Sequence, residues 1–269
     1  MNTSYEEFLD RYKEVIDKKD FGNKEFQAFH GEEVWNKLLD DLQRIGVNPL
    51  KYLDRIPSGF FYNTNLKNVN IPVNIKFFEP YPFVDDRDRV DKLPRSITYE
   101  GNIDQWCQID SSSRAVVGDS SPFYDNEDMV LYIGNTPLTE ASINTIIVSG
   151  CSFFQYNHLK KVTFLNKVRD IQTWAFYGCL GLKSVIAEEG LLRINPKVFS
   201  SCTNLEQVVL PSSLQEIGKL AFEDCSKLSS ITYKGTKEQW SKVKRGDAWV
   251  MHTLIKVIHC KDGDLNYEL

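Results

Sequence analysis

A strictly periodic repeat is the feature of this 269-residue chain that most restricts its fold. Four phenylalanines mark the repeat. Each is preceded five positions earlier by an aliphatic residue, and followed by leucine at the sixth position and a β-branched residue at the ninth. The marking residues, at one constant interval, are Phe153, Phe176, Phe199 and Phe222. A fixed period of 23 residues predicts a solenoid, because one turn of chain cannot bury its own apolar residues and successive turns must stack.

The repeat also occurs earlier, so that the chain divides into two blocks. In the first block Phe60 takes the marked position, and the same interval leads from it to Phe83. Each block closes with a related segment, residues 97–106 in the first and 231–240 in the second. The predicted segments are a first block at 53–106, a second block at 147–240 and a C-terminal cap at 241–269.

The end of each repeat alternates apolar and polar residues, which predicts a β-strand. In the third unit, Val208 and Leu210 would face the interior, as would Leu205 just before the strand. Stacked strands of this kind make a parallel sheet with the phenylalanines packed behind it.

Cysteine follows the marking phenylalanine by three positions in three of the four units, as Cys179, Cys202 and Cys225. Tyr156 takes this position in the remaining unit, a substitution that a shared disulfide or metal site would not tolerate. The chain also has no C-x-x-C pair. We therefore expect buried free thiols that act as small apolar side chains, and no metal site.

The aliphatic-x4-Phe-x2-Cys-x2-Leu-x2-Val spacing and the Tyr-x-Gly-x4-Trp closing segment resemble the BspA-like class of leucine-rich repeats. The resemblance covers about residues 53–106 and 147–262 and implies an α/β leucine-rich-repeat solenoid with parallel strands. It also implies a non-enzymatic module that recognises proteins or surfaces.

Similar arrays occur in bacterial surface proteins and in bacteriophages, and residues 42–61 resemble phage-encoded members. The resemblance therefore implies an inhibitor that is encoded by a bacteriophage and sequesters a host protein. The alternative is a structural or adhesive component of a virion or cell surface.

Apolar residues recur at helical spacing in residues 4–19 and 31–45, which predicts two amphipathic helices. Residues 1–52 are accordingly predicted to form a helical N-terminal domain. Such a domain would cover the open edge of the solenoid. The alternative is a separate partner-binding surface.

Negative charge is concentrated between the two blocks. Residues 97–146 carry eight acidic residues and a single basic one, and residues 107–146 break the repeat as an acidic excursion. Such a surface repels nucleic acid and attracts a basic protein, although a solvated acidic loop would have the same composition. The predicted partner-binding acids are Glu100, Asp104, Asp110, Asp119, Asp125, Glu127 and Asp128.

A second candidate surface follows from the leucine-rich resemblance, which places residues flanking the inward strand positions on the concave face. Ile186 and Val209 are apolar at positions where solvent is expected, so they suggest a contact stripe. Ordinary strand propensity is the alternative explanation. The predicted concave-face residues are Lys161, Thr163, Ile186, Val209 and Thr232.

The sequence offers no recognised catalytic motif, and we expect neither enzymatic activity nor a cofactor. No stretch approaches 18 consecutive apolar residues, which predicts no membrane span. The polar, acidic start of the chain lacks the features of a secretory signal. These observations predict a cytoplasmic protein, in the host cytoplasm if a bacteriophage encodes it.

Overall fold

A computed structural model describes residues 48–56, 60–61, 67–83, 94–111, 121–124, 126 and 128–267. The two helices predicted for residues 4–19 and 31–45 lie outside these ranges. The described helices are a 3-10 turn at Pro49–Tyr52, α1 at Ile103–Trp106 and α2 at Lys237–Lys242. None of them is long and apolar enough to cross a membrane. Among the regular elements of the described part of the chain, strands therefore predominate over helices.

The first block contains short strands and strands of four residues. These are β1 (Arg55–Ile56), β2 (Asn68–Ile71), β3 (Phe77–Phe78), β4 (Ser96–Tyr99), β5 (Val130–Ile133) and β6 (Thr136–Pro137). The four-residue strands β2, β4 and β5 pair in parallel, and β6 turns back antiparallel to β5. The sheet of the first block thus continues to Pro137, beyond the predicted boundary at residue 106.

The second block alternates four-residue and two-residue strands. Its strands are β7 (Glu140–Ile143), β8 (Ile147–Val148), β9 (Lys161–Phe164), β10 (Asp170–Ile171), β11 (Ser184–Ala187), β12 (Arg193–Ile194), β13 (Gln207–Leu210), β14 (Glu216–Ile217), β15 (Ser230–Tyr233), β16 (Lys244–Arg245), β17 (Val257–Cys260) and β18 (Gly263–Asn266). Seven four-residue strands form one sheet, parallel except for β18, and five two-residue strands form a second, parallel sheet. This arrangement confirms the predicted parallel β-solenoid.

The marking phenylalanines form a ladder inside the second block. Neighbouring rings of Phe153, Phe176, Phe199 and Phe222 stack with centroids 5.1, 5.4 and 5.3 Å apart. All four side chains are fully buried. Each ring therefore packs against the ring of the next turn of the solenoid. One such turn, which we call a rung, corresponds to the 23-residue period.

The first block departs from the predicted register by one residue. Phe61, and not Phe60, stacks on Phe83, with ring centroids 4.9 Å apart and an interplanar angle of 7°. The Phe61 N–H also donates to the Pro82 carbonyl oxygen, as the Phe153 N–H does to that of Ala175. This rung is thus one residue shorter than the regular repeat, and Phe60 is buried beside Phe61 with its ring edge-on.

The related closing segments fold in the same way in both blocks. Tyr99 contacts Trp106 with ring centroids 5.4 Å apart, and Tyr233 contacts Trp240 at 5.0 Å. In each segment a capping box begins the helix, formed by Asn102 with Gln105 before α1 and by Thr236 with Gln239 before α2. A strand, a tight turn and a capped helix therefore form the same unit in each block.

Candidate interaction surfaces

The outward side of the seven-stranded sheet, which we call the strand face, carries all five predicted concave-face residues. Ile186 and Val209 are direct neighbours across β11 and β13, and Val209 is next to Thr232 on β15. Thr163 lies on the other side of Ile186, on β9. The structure therefore brings four of the residues into a single row across four strands.

Lys161 lies in the second row of the strand face, which is next to the first along each strand. Ser184 is its neighbour on β11, and the Ser184 hydroxyl donates to Oε1 of Gln207 over 2.7 Å. The outward residues of β11, β13 and β15 are all uncharged. Charged side chains occur on the strands near the two edges of this sheet. Glu140 is the neighbour of Lys161 at one edge, and Asp264 is the neighbour of His259 at the other.

The structure separates two of the predicted acidic residues that it describes. Glu100 is exposed and follows the carboxyl end of β4, whereas Asp128 is exposed and precedes the amino end of β5. Because β4 and β5 are parallel and in register, one carboxylate lies at the carboxyl ends of the strands and the other at their amino ends. Asp110 pairs with Phe77 on the side of the two-residue strands.

Asp104 has a structural contact. Its Oδ1 accepts a 2.6 Å hydrogen bond from the Asn144 N–H, which ties α1 to the chain after β7. Asp119, Asp125 and Glu127, the other three acids of the predicted surface, lie outside the described residues. The idea of one continuous acidic docking surface therefore stays a prediction that rests mainly on these three.

The repeated cysteines form the expected ladder of buried free thiols. The Sγ atoms of Cys179, Cys202 and Cys225 each donate to the carbonyl oxygen of the marking phenylalanine one rung earlier, over 3.0–3.2 Å. Burial raises the pKa of all three thiols. They are therefore protonated and unreactive at neutral pH.

Cys260 is the most accessible cysteine, and the other five are buried. Partial burial raises the pKa of its thiol as well, so it is not an activated nucleophile. The neighbouring His259 directs Nδ1 to Asp264 over 2.9 Å. Among the residues that the structure describes, no group of three metal-ligating side chains comes together.

The family model for the BspA type leucine rich repeat region matches six copies in this chain, over residues 40–88 and 133–243. These ranges cover more than half of the sequence. The chain belongs to this BspA-type family. The matched ranges contain the phenylalanine ladder and most of the strand face, so the family assignment and the stacked geometry agree.

Solved leucine-rich repeat structures resemble this BspA-type chain at low identity. A protein from Bacteroides ovatus is 19% identical, with a TM-score of 0.44 over 78% of this chain and 46% of its own. The T. pallidum leucine rich repeat protein is 21% identical, with a TM-score of 0.35 over 69% and 72%. The pneumococcal vaccine antigen PcpA is 14% identical, with a TM-score of 0.42 over 81% and 62%.

The chain thus spans less than half of the Bacteroides ovatus protein. No curated protein gives a significant match to the sequence. Neither the family description nor these three structures name a bacteriophage protein.

A cleft beside α2 was not predicted from the sequence. It has a volume of about 390 Å³ and lies between this helix and the chain that follows β13. The longer interval between repeats around α2 was a signal in the sequence that could have indicated this cleft. The polar residues of the cleft are Arg193, Ser212, Ser213, Gln215, Glu216, Gln239, Lys242 and Lys244.

Proposed function

We propose that this protein is a non-enzymatic binding module that recognises a protein partner through the strand face. The observation that carries the proposal is the adjacent pair Ile186 and Val209, which points outward and remains partly accessible. Apolar side chains at the centre of a polar, uncharged surface are typical anchors for a protein contact.

The charge pattern of the strand face supports a partner with an uncharged, weakly apolar contact surface. Ser184, Gln207 and Ser230 form the row beside the apolar pair and can form hydrogen bonds without the desolvation cost of a charged group. Recognition of this kind depends weakly on ionic strength, because screening acts mainly on exposed charges. A basic partner that binds the acidic excursion would show the opposite behaviour.

The biological setting of the partner is a finer hypothesis. A phage-encoded inhibitor would hold a host protein on the strand face and so block its function. A structural or adhesive surface component would use the same face for attachment. Both fit a solenoid that binds by surface complementarity, and the identity of the partner distinguishes them.

The test is an affinity capture from extracts of the cells that express the gene, with matched variants of the bait. The double variant Ile186→Asp/Val209→Asp places two charges in the proposed contact, where burial without a partner is costly. The control is Ile147→Asp, which adds a charge at an exposed apolar residue on the two-residue-strand side. A further bait reverses the charge of Asp125, Glu127 and Asp128.

We expect a stoichiometric protein that the wild type, the Ile147→Asp control and the charge-reversal bait all retain. The Ile186→Asp/Val209→Asp variant should lose it. Equal retention by that variant would contradict the strand-face proposal. Loss from the charge-reversal bait alone would instead favour the acidic excursion.

A further inference from the structure

A change in the solenoid period opens the cleft next to α2. Arg193 pairs with Glu216 at the regular interval of the repeat, whereas Glu216 pairs with Lys244, which lies further along the chain than one repeat. The additional residues form α2. Because the helix fills only part of the widened rung, a space of about 390 Å³ remains between it and the turn after β13.

Several hydrogen-bond donors of the cleft have no partner among the described residues. The Lys244 side chain makes no hydrogen bond or ion pair within the described part of the chain. Arg193 binds Asp170 through Nε and Nη2, at 2.8 and 2.7 Å, which leaves Nη1 without a described partner. Gln239 accepts a hydrogen bond from the Thr236 N–H through Oε1, and its Nε2 has no hydrogen-bond partner among the described residues.

The backbone of the turn already binds an anion of the protein itself. The Glu189 carboxylate accepts hydrogen bonds from both N–H groups of Ser212 and Ser213 and from the Ser212 hydroxyl, over 3.0–3.1 Å. The donors that remain for a ligand in the cleft include the side chains of Arg193, Gln239 and Lys244. Glu216 is the only acid among the described residues that line the cleft, and it can accept a hydrogen bond from a ligand hydroxyl.

We propose that the cleft binds a small polar ligand that carries a carboxylate or phosphate group, such as an acidic or phosphorylated sugar. Its volume falls in the range of small-molecule sites, roughly 300–1,000 Å³. Hydrogen bonds from arginine and lysine to an oxyanion are short and about twice as strong as neutral ones. The cleft lies off the strand face, so this inference does not depend on the proposed protein contact.

The experiment is a calorimetric titration of the purified chain with glucose 6-phosphate, glucuronate and glucose. One or both of the charged sugars should bind at least about tenfold more tightly than glucose, since only they supply an oxyanion. Comparison of the two anions identifies whether the ligand is a phosphate ester or a carboxylate.

Lys244→Gln should weaken binding of the anion at least about fivefold, while it leaves the fold unchanged because Lys244 is exposed. Lys227→Gln, a change at an exposed lysine in the turn before β15, is the matched control and should have no effect. Absence of saturable binding of either anion at about 10 mM would overturn the proposal. So would equal affinity for glucose, or equal weakening by both lysine variants.

Discussion

Tyr156 takes the repeat position that holds cysteine in the next three rungs, and its side chain reaches out of the ladder. Its hydroxyl donates to the Leu138 carbonyl oxygen over 2.7 Å and accepts the Leu131 N–H over 3.2 Å. Leu131 lies on β5 of the first block, and Tyr156 is buried. A thiol would be too short for this contact, so tyrosine connects the two blocks where the regular repeat begins.

The variant Tyr156→Phe should lower the free energy of unfolding by about 1–3 kcal/mol, because it leaves a buried donor and a buried acceptor without their partner. Chemical denaturation measures the change. Tyr177→Phe is the control, since no described hydrogen bond involves its hydroxyl, and it should shift stability by less than about 0.5 kcal/mol. Equal effects of the two variants would show that the Tyr156 hydroxyl does not join the blocks.

At the level of secondary-structure elements, the closing segment is the unit that both blocks share. Its glycine lies against the tyrosine ring. A Cβ atom at Gly101 would lie 2.6 Å from Cε1 of Tyr99, and one at Gly235 would lie 2.6 Å from Cε1 of Tyr233. Both tyrosines are buried and cannot move aside easily. Glycine is therefore required by close packing at these two positions.

Gly235→Ala should destabilise the protein by about 1–3 kcal/mol, because the methyl group overpacks the contact between Tyr233 and α2. Gly101→Ala should do the same in the first block. Ser241→Ala on the exposed side of α2 is the control and should change stability by less than about 0.5 kcal/mol. Thermal unfolding followed by circular dichroism compares them, and an unaffected Gly235→Ala would refute the packing argument.

The elements that sequence analysis predicts well are those with strict spacing. Inward positions such as Val185 and Val208 accept only apolar residues, so the period reveals the rung and its strand. The one-residue slip at Phe61 escaped prediction because two phenylalanines stand side by side and each satisfies part of the pattern. Phe60 has the leucine and valine spacing that follows it, whereas Phe61 has the aliphatic Ile56 five positions before it. The cleft escaped it because its donors are far apart in sequence and meet only after the widened rung folds.

The candidate surfaces show the same limit. The alternation of apolar and polar residues along the strands predicts that Ile186 and Val209 face outward. The structure confirms that the two residues are neighbours. Composition predicted an acidic surface, but it contains no information on which end of a strand a carboxylate occupies. Glu100 and Asp128 are therefore separated although both belong to the acidic stretch.

At the scale of the whole molecule, each block ends in the same kind of β-hairpin. Ile133 pairs with Thr136 in the first block, and Cys260 pairs with Gly263 in the second, each across a two-residue connection. The first hairpin lies in the middle of the chain. The second forms the last strands of the seven-stranded sheet, and Tyr267 after it packs edge-on against Trp249. The described chain is thus two capped units in tandem around a continuous apolar core.

Thiol labelling tests how cooperatively this core is held. In native protein at mildly alkaline pH, Cys260 should react first, because the other five cysteines are buried and burial raises the pKa of the three ladder thiols. A Cys260→Ser variant should label only as fast as the chain unfolds. A second thiol that reacts rapidly in this variant would mean that a rung opens independently of the rest.

The most direct test of the central claim is site-specific photocrosslinking of the captured partner. Val209 on the strand face is replaced by benzoylphenylalanine in one sample, and Tyr177, a partly exposed residue on the phenylalanine side of the solenoid, in another. We expect a covalent adduct with the partner from position 209 and none from position 177. An adduct from position 177 alone would place the contact on the opposite side and contradict the strand face as the binding surface.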